Sequence, residues 1–258
     1  MVNRDIIHNQ PLVTPAVRKI DTTAPFRWLA AGWQDFHANP AASGFYGLAF
    51  VLAGLLVISA TMQNTLLVMT FITGFFLIAP FLCLGLYELS RQREITGSNR
   101  LGPSLFVFMR RRRDMALLVV FQALIMIAWI RLVTLMSAIY VTNTGTSVKV
   151  LFDQLFTSSD GLGFVSVFVL AGAALATLVF VTSVIAWPML LHRATGVLIA
   201  ISTSVKAVMQ NKLAMLVWAG LIVSLIVIGG VASLSIGLVV ILPVIGHASW
   251  HAYRDLVE

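Results

Sequence analysis

The chain has 258 residues, of which 59% are hydrophobic and only 10% charged, and its mean hydropathy is +0.94. Soluble domains carry about 25% charged residues because their surfaces face water, so a water-soluble globule and a disordered chain are both excluded. The formal net charge of +7 would suit a nucleic-acid partner, but its meaning depends on where the charges sit.

Residues 1–24 hold Pro11, Pro15 and several charges without an apolar run, and read as a flexible cytoplasmic tail with no signal-peptide pattern. The remainder, 25–258, reads as a single transmembrane helical domain. Apolar stretches at 44–62, 65–87, 115–141 and 163–191 are each long enough, at about 1.5 Å per residue, to cross about 30 Å of hydrocarbon. The last apolar block, 213–245, would overshoot the bilayer as one helix of about 50 Å. With Gly229 and Gly230 at its middle, it reads as a tight hairpin of two short or tilted spans, one bent helix being the alternative. The expected fold is all-α: a polytopic bundle of six transmembrane helices arranged as three hairpins.

Charge placement gives the orientation. With both termini inside, every Lys and Arg except Arg131 and Lys149 falls in a cytoplasmic segment, and Asp153 and Asp160 outweigh Lys149 in the outer loop. The basic balance then reports topology, and no nucleic-acid partner is needed to explain it.

The segment before each odd-numbered span has helical apolar spacing: Phe26, Leu29, Trp33 and Phe36, ending at Asn39 and Pro40; Leu101, Leu105, Phe108 and Met109; and Val197, Leu198, Ile201, Val205, Val208 and Met209. Each reads as an amphipathic helix lying on the inner face. The even spans carry Pro80, Pro188 and Pro243 near their inner ends, where a missing amide and a ring clash kink a helix. Counted from these prolines, Tyr87 matches Trp250, Arg91 matches Arg254 and His192 matches His247. This predicts three degenerate units, 25–95, 96–192 and 193–258, although any chain of helical hairpins obeying the positive-inside rule carries basic segments at these places.

His37, His192, His247 and His251 lie near the inner face, and His247 and His251 are four apart, a helical spacing used in metal and haem ligation. His192, His247 and His251 are therefore the candidate ligands for a haem or metal. The competing reading is an interfacial belt of His, Trp250 and Tyr253, with no cofactor. Arg131 is the one charge inside an expected span; it either faces the bundle along a stripe with Gln122, Thr134 and Ser137, or snorkels outward. Arg110, Arg111, Arg112 and Arg113 fix the topology of the third span or attract anionic lipid headgroups. Glu88 with Arg91 is expected as a helix pair, and Asp35 on the polar, solvent-exposed side of the first amphipathic helix. Gly172 with Ala176 and Ala173 with Thr177 are candidate helix-crossing points. Phosphate-loop, nucleophile-elbow and dinucleotide patterns are missing, and Cys83 is the single cysteine.

The segments GWQDFHANP (32–40), PFLCLGLYE (80–88) and LPVIGHASWHAYRDLV (242–257), together with the polar N-terminal tail, resemble a family of uncharacterised bacterial integral membrane proteins. Some of its members carry a provisional cytochrome c oxidase subunit name. The resemblance implies a bacterial inner-membrane location and a respiratory setting, and supplies no catalytic residues. The function expected is that of a non-enzymatic accessory, assembly or scaffold component of a membrane complex. The alternatives are a small carrier or channel, or a haem- or metal-handling protein.

Overall fold

The computed structural model describes residues 15–61, 65–110, 112–140, 155–231 and 236–257. Among these the chain is all-helical, apart from its turns and one isolated pairing of Val17 with Val257. Helix α1 (Ala24–Ala38) ends at Asn39, whose side chain accepts from the Ala42 amide and so caps α2 (Pro40–Thr61), with Pro40 at the first helical position. Next come α3 (Thr65–Leu82), α4 (Leu84–Thr96), the short α5 (Leu101–Leu105) and α6 (Val107–Arg110), and the long α7 (Arg112–Tyr140). The chain continues through α8 (Ser159–Ser183), α9 (Ala186–His192), α10 (Val197–Gln210), α11 (Lys212–Val231) and α12 (Leu238–Leu256).

Among the described residues four stretches are long and apolar enough to cross a membrane: Pro40–Thr61, Met115–Tyr140, Ser159–His192 and Lys212–Gly230. A fifth is added if Leu66–Phe75 and Leu77–Thr96, bent by 42°, form one span. The block at 213–245 does not form one bent helix. It divides into α11 and α12, and Gly229 and Gly230, expected at the turn, lie inside α11, where Gly229 faces Ile241 of α12.

A bend precedes Pro80 and a helix division precedes Pro188, whereas the last helix runs continuously through Pro243, and the backbone around each is accommodated differently. The 42° bend falls at Phe76, the residue whose carbonyl the Pro80 ring displaces, and Gln122 of α7 donates to the neighbouring Leu77 carbonyl at 3.3 Å. Between α8 and α9, ahead of Pro188, the Ser204 hydroxyl enters the ladder: it donates to the Val181 carbonyl at 2.8 Å and accepts from the Ile185 amide at 3.3 Å. In α12, Pro243 frees the Val239 carbonyl, and Gly47 of α2 packs directly against it.

α12 is the hub. It packs against α1, α2, α4 and α11, and residues 242–250 are all buried. The amphipathic helices sit with their large apolar residues outward. Phe26, Trp33, Leu105, Met109, Leu198 and Met209 are exposed, while Trp28, Gly32, Ser104, Ala200, Ser204 and Ala207 face the protein. This fits helices in a membrane interface, where the environment outside the protein is the apolar one. The described part of the expected tail is tied down: the Arg18 amide donates to the Leu256 carbonyl, and the Asn211 side chain bridges the Ile20 amide and the Arg18 carbonyl. Residues 1–14 lie outside the described residues.

A Cβ added at Gly47 would fall 1.9 Å from the Val239 oxygen, whereas one at Gly44, a turn earlier on α2, meets nothing within 4 Å. Gly47→Ala is therefore expected to destabilise the protein by about 1–3 kcal/mol, and Gly44→Ala to be neutral or stabilising by about 0.5–1 kcal/mol. Thermal unfolding of both variants in detergent checks this; equal transitions would contradict the close contact.

Candidate functional site

The three segments GWQDFHANP, PFLCLGLYE and LPVIGHASWHAYRDLV, distant in sequence, converge at one end of the bundle. α1 lies on α12 with no side chain between them at Gly32, where a Cβ would come 2.6 Å from the Val244 oxygen and 2.7 Å from the Ala248 nitrogen. Asp35, three residues on, points at the same helix and is only 4% exposed. The expected solvent exposure of Asp35 is thus overturned: on this helix the small and polar stripe faces the protein and the apolar stripe faces out.

The Asp35 carboxylate receives Ser90 Oγ of α4 at 2.5 Å and pairs with His251 Nε2 at 2.9 Å through one oxygen, and takes Arg93 Nη1 on the other. Ser90 Oγ also lies 2.7 Å from His247 Nδ1, and His247 Nε2 lies 2.9 Å from Ser43 Oγ of α2. A carboxylate accepts only, so the Ser90 proton goes to Asp35. Ser90 then accepts from His247 Nδ1–H, and the bare Nε2 accepts from Ser43. Four side chains from four helices form one directed chain ending on Asp35, with Ser43 and His247 both fully buried. Burial alone would raise the Asp35 carboxyl, but the hydrogen bonds from His251 and Ser90 and the nearby histidine charges outweigh it and hold the group at about 2.

Further along α12 the pattern repeats with new partners. Trp250 Nε1 donates to Glu94 at 3.0 Å, and Arg254 pairs with the same carboxylate at 2.7 Å. Trp28 Nε1 of α1 donates to Asp255 at 2.9 Å, and the Tyr253 hydroxyl meets both His192 and Arg193. Glu88, 1% exposed, holds Arg91 through two contacts of 2.7 Å.

Of the candidate ligands, His247 and His251 share Asp35, while His192 lies against Tyr253 and Trp250 instead. Among the described residues no group of three or more His, Cys, Asp and Glu side chains is placed to hold a metal ion. Arg131 is exposed, and its 19-residue separation from Arg112 puts it about 28 Å along α7. Thr134 and Ser137 donate to carbonyls of their own helix, and Gln122 is occupied at the Pro80 bend, so no polar stripe joins them to Arg131. Arg110 and Arg112 sit at the junction of α6 and α7, Arg113 is exposed, and Arg111 lies outside the described residues. Ser43, Ser90 and Arg93 went unmarked in the sequence. The one usable signal was Gly32 three residues before Asp35, a close-packing glycine on the face of a carboxylate.

Residues 67–192 match the model of a family described as a predicted integral membrane protein (DUF2189), which bears out the resemblance to an uncharacterised membrane family. The match runs from α3 to α9, so it contains Glu88, Ser90 and Arg93 but neither α1 nor α12. No curated protein and no solved structure matches the chain.

Asp35→Ala removes the acceptor shared by Ser90, Arg93 and His251, and is expected to cost about 3–5 kcal/mol, against less than half of that for Ser43→Ala. Because the folded carboxyl sits below its ordinary 3.8, its contribution of about 2 kcal/mol is present above about pH 4 and lost as pH falls towards 2. Unfolding midpoints of the wild type and Asp35→Asn across that range test the sign. A wild-type slope retained in the Asn variant would assign it to other groups.

Proposed function

We propose that this integral membrane protein is a non-catalytic accessory, assembly or scaffold component of a membrane complex, resident in a bacterial inner membrane with both termini cytoplasmic. In this reading α12 is the sixth span, the chain is three helical hairpins each entered through an interfacial helix, and Arg110 to Arg113 hold the start of α7 on the cytoplasmic side.

The observation that carries the proposal is how little of the crossing helices the chain itself covers. The buried share of the four membrane-spanning stretches is between 11% and 28%, lowest for Ser159–His192, whereas the end built around α12 is solid. On α8, Ala173, Ala176 and Thr177 are exposed, and such small residues allow a second helix to approach closely. The polar groups of the Asp35 cluster are spent on one another, which supports a bracing role over a catalytic one. A haem held by His192, His247 and His251 is the competing reading, and it requires His247 to give up both serine hydroxyls.

Affinity purification from native membranes in a mild detergent is expected to recover a reproducible membrane-protein partner, with recovery reduced severalfold by Ala173→Leu with Thr177→Leu. A wild-type protein that comes out alone in repeated preparations would overturn the accessory role. A Soret band in the eluate, obtained with haem supplied during expression, would favour the competing reading.

A further inference from the structure

The charge network on α12 leaves one guanidinium over. Glu88 takes Arg91, Glu94 takes Arg254 and Asp35 takes Arg93. Arg193, the first residue after α9, has no carboxylate within ion-pair distance among the described residues. Its Nε–H donates to the Tyr253 oxygen at 3.1 Å, and both Nη groups are unspent. His192 Nδ1 lies 2.9 Å from the same oxygen. A guanidinium only donates, so the phenol accepts from Arg193 and turns its own proton to His192 Nδ1. That leaves His192 protonated on Nε2, a further donor with no partner among the described residues.

The surroundings favour an anion. The charges of Arg254, Arg193 and Arg91 all act on the His192 ring, with Glu94 opposing them. The inner wall is apolar and rigid: Trp250, 1% exposed, meets His192 edge to face at 5.6 Å, and Tyr253 is fully buried. The outer side is open, since His192 and Arg193 are both partly exposed. His192 ends the Ser159–His192 stretch, so these donors stand at the level where such a span gives way to headgroups, and the exposed large apolar residues of that stretch, up to Leu178, lie on α8.

We propose that Arg193 and His192, backed by Arg91 and Arg254, form a binding site for a phosphate group, and that its ligand is the headgroup of an anionic phospholipid whose acyl chains lie along α8. The planar fork of Arg193 matches two phosphate oxygens, and His192 Nε2–H supplies a third contact. Tyr253 is a positioning residue, fixing both donors through one oxygen. The site stands or falls independently of any protein partner.

The test uses purified full-length protein in a mild detergent, with lipid adducts counted by native mass spectrometry. Wild type is expected to retain one phosphatidylglycerol in preference to phosphatidylcholine. Arg193→Gln should weaken retention about tenfold, Arg193→Lys and Tyr253→Phe by less, and Arg100→Gln, which changes an exposed arginine outside both this site and the 110–113 run, not at all. Competition by inorganic phosphate would confirm that the phosphate group is what is read. Stabilisation by inorganic phosphate that is lost in Arg193→Gln, with no added effect of lipid, would assign the same donors to a free anion. Equal retention by wild type and a monodisperse Arg193→Gln, equal loss in Arg100→Gln, or equal retention of phosphatidylcholine would overturn the proposal.

Discussion

A carboxylate removed from water persists only where donors replace its hydration, and the end of this protein built around α12 is arranged around that requirement at Asp35. One oxygen faces Ser90 and His251, the other faces Arg93, and behind Ser90 the chain continues through His247 to Ser43. These residues come from α1, α2, α4 and α12. None of the four helices can shift without breaking a polar contact that lies in a region of low dielectric, where such contacts are strongest and their loss most costly. The cluster thus supplies what apolar packing lacks inside a bilayer, where lipid tails compete with side chains on nearly equal terms.

Close backbone approach is what lets the cluster form. Gly32 brings α1 onto the Val244–Ala248 turn of α12, Gly47 brings α2 onto Val239, and Gly85 leaves room for the Tyr46 ring, whose hydroxyl lies 2.8 Å from Ser104. The proline sites serve the same end, for at each one a residue of a neighbouring helix meets the backbone nearby: Gln122 at Leu77, Ser204 at Val181 and Ile185, and Gly47 at Val239. Pro188 shows this most directly: the Ser204 hydroxyl that mends the ladder belongs to α10, so the kink and the docking of the amphipathic helix are one feature.

The apolar helices and the amphipathic faces were legible because both follow from composition and period, apolar runs of about twenty residues and large side chains recurring every three or four; of the six spans expected, four, or five with the bent pair, are long and apolar enough among the described residues. Asp35 was not legible for a reason specific to membranes. A helical wheel separates polar from apolar but does not say which side the protein is on, and for α1 the protein side is the one with Gly32 and Asp35. Similarly, α12, expected as the last span, is not among the described helices long and apolar enough to cross a membrane, with Gly246, His247 and Ser249 diluting its hydropathy and residues 242–250 buried by other helices. Ser43 and Ser90 gave no signal at all. A serine in a helix ordinarily bonds its own preceding turn, as Ser249 does with Ile245, and only three-dimensional contact shows that these two do otherwise.

The distribution of charge completes the argument. Positive charge concentrated at one end of a helical bundle serves topology, but left unbalanced it would also repel itself. Here the buried Glu88 and Asp35 and the partly exposed Glu94 and Asp255 answer it, each at a definite partner. Among the basic groups that the carboxylates leave uncovered, Arg193 differs from the exposed Arg100, Arg113 and Lys212: it is held in place by a buried tyrosine and set beside a histidine whose second nitrogen has no partner among the described residues, and a phosphate at the headgroup level is the anion that this position and these donors match.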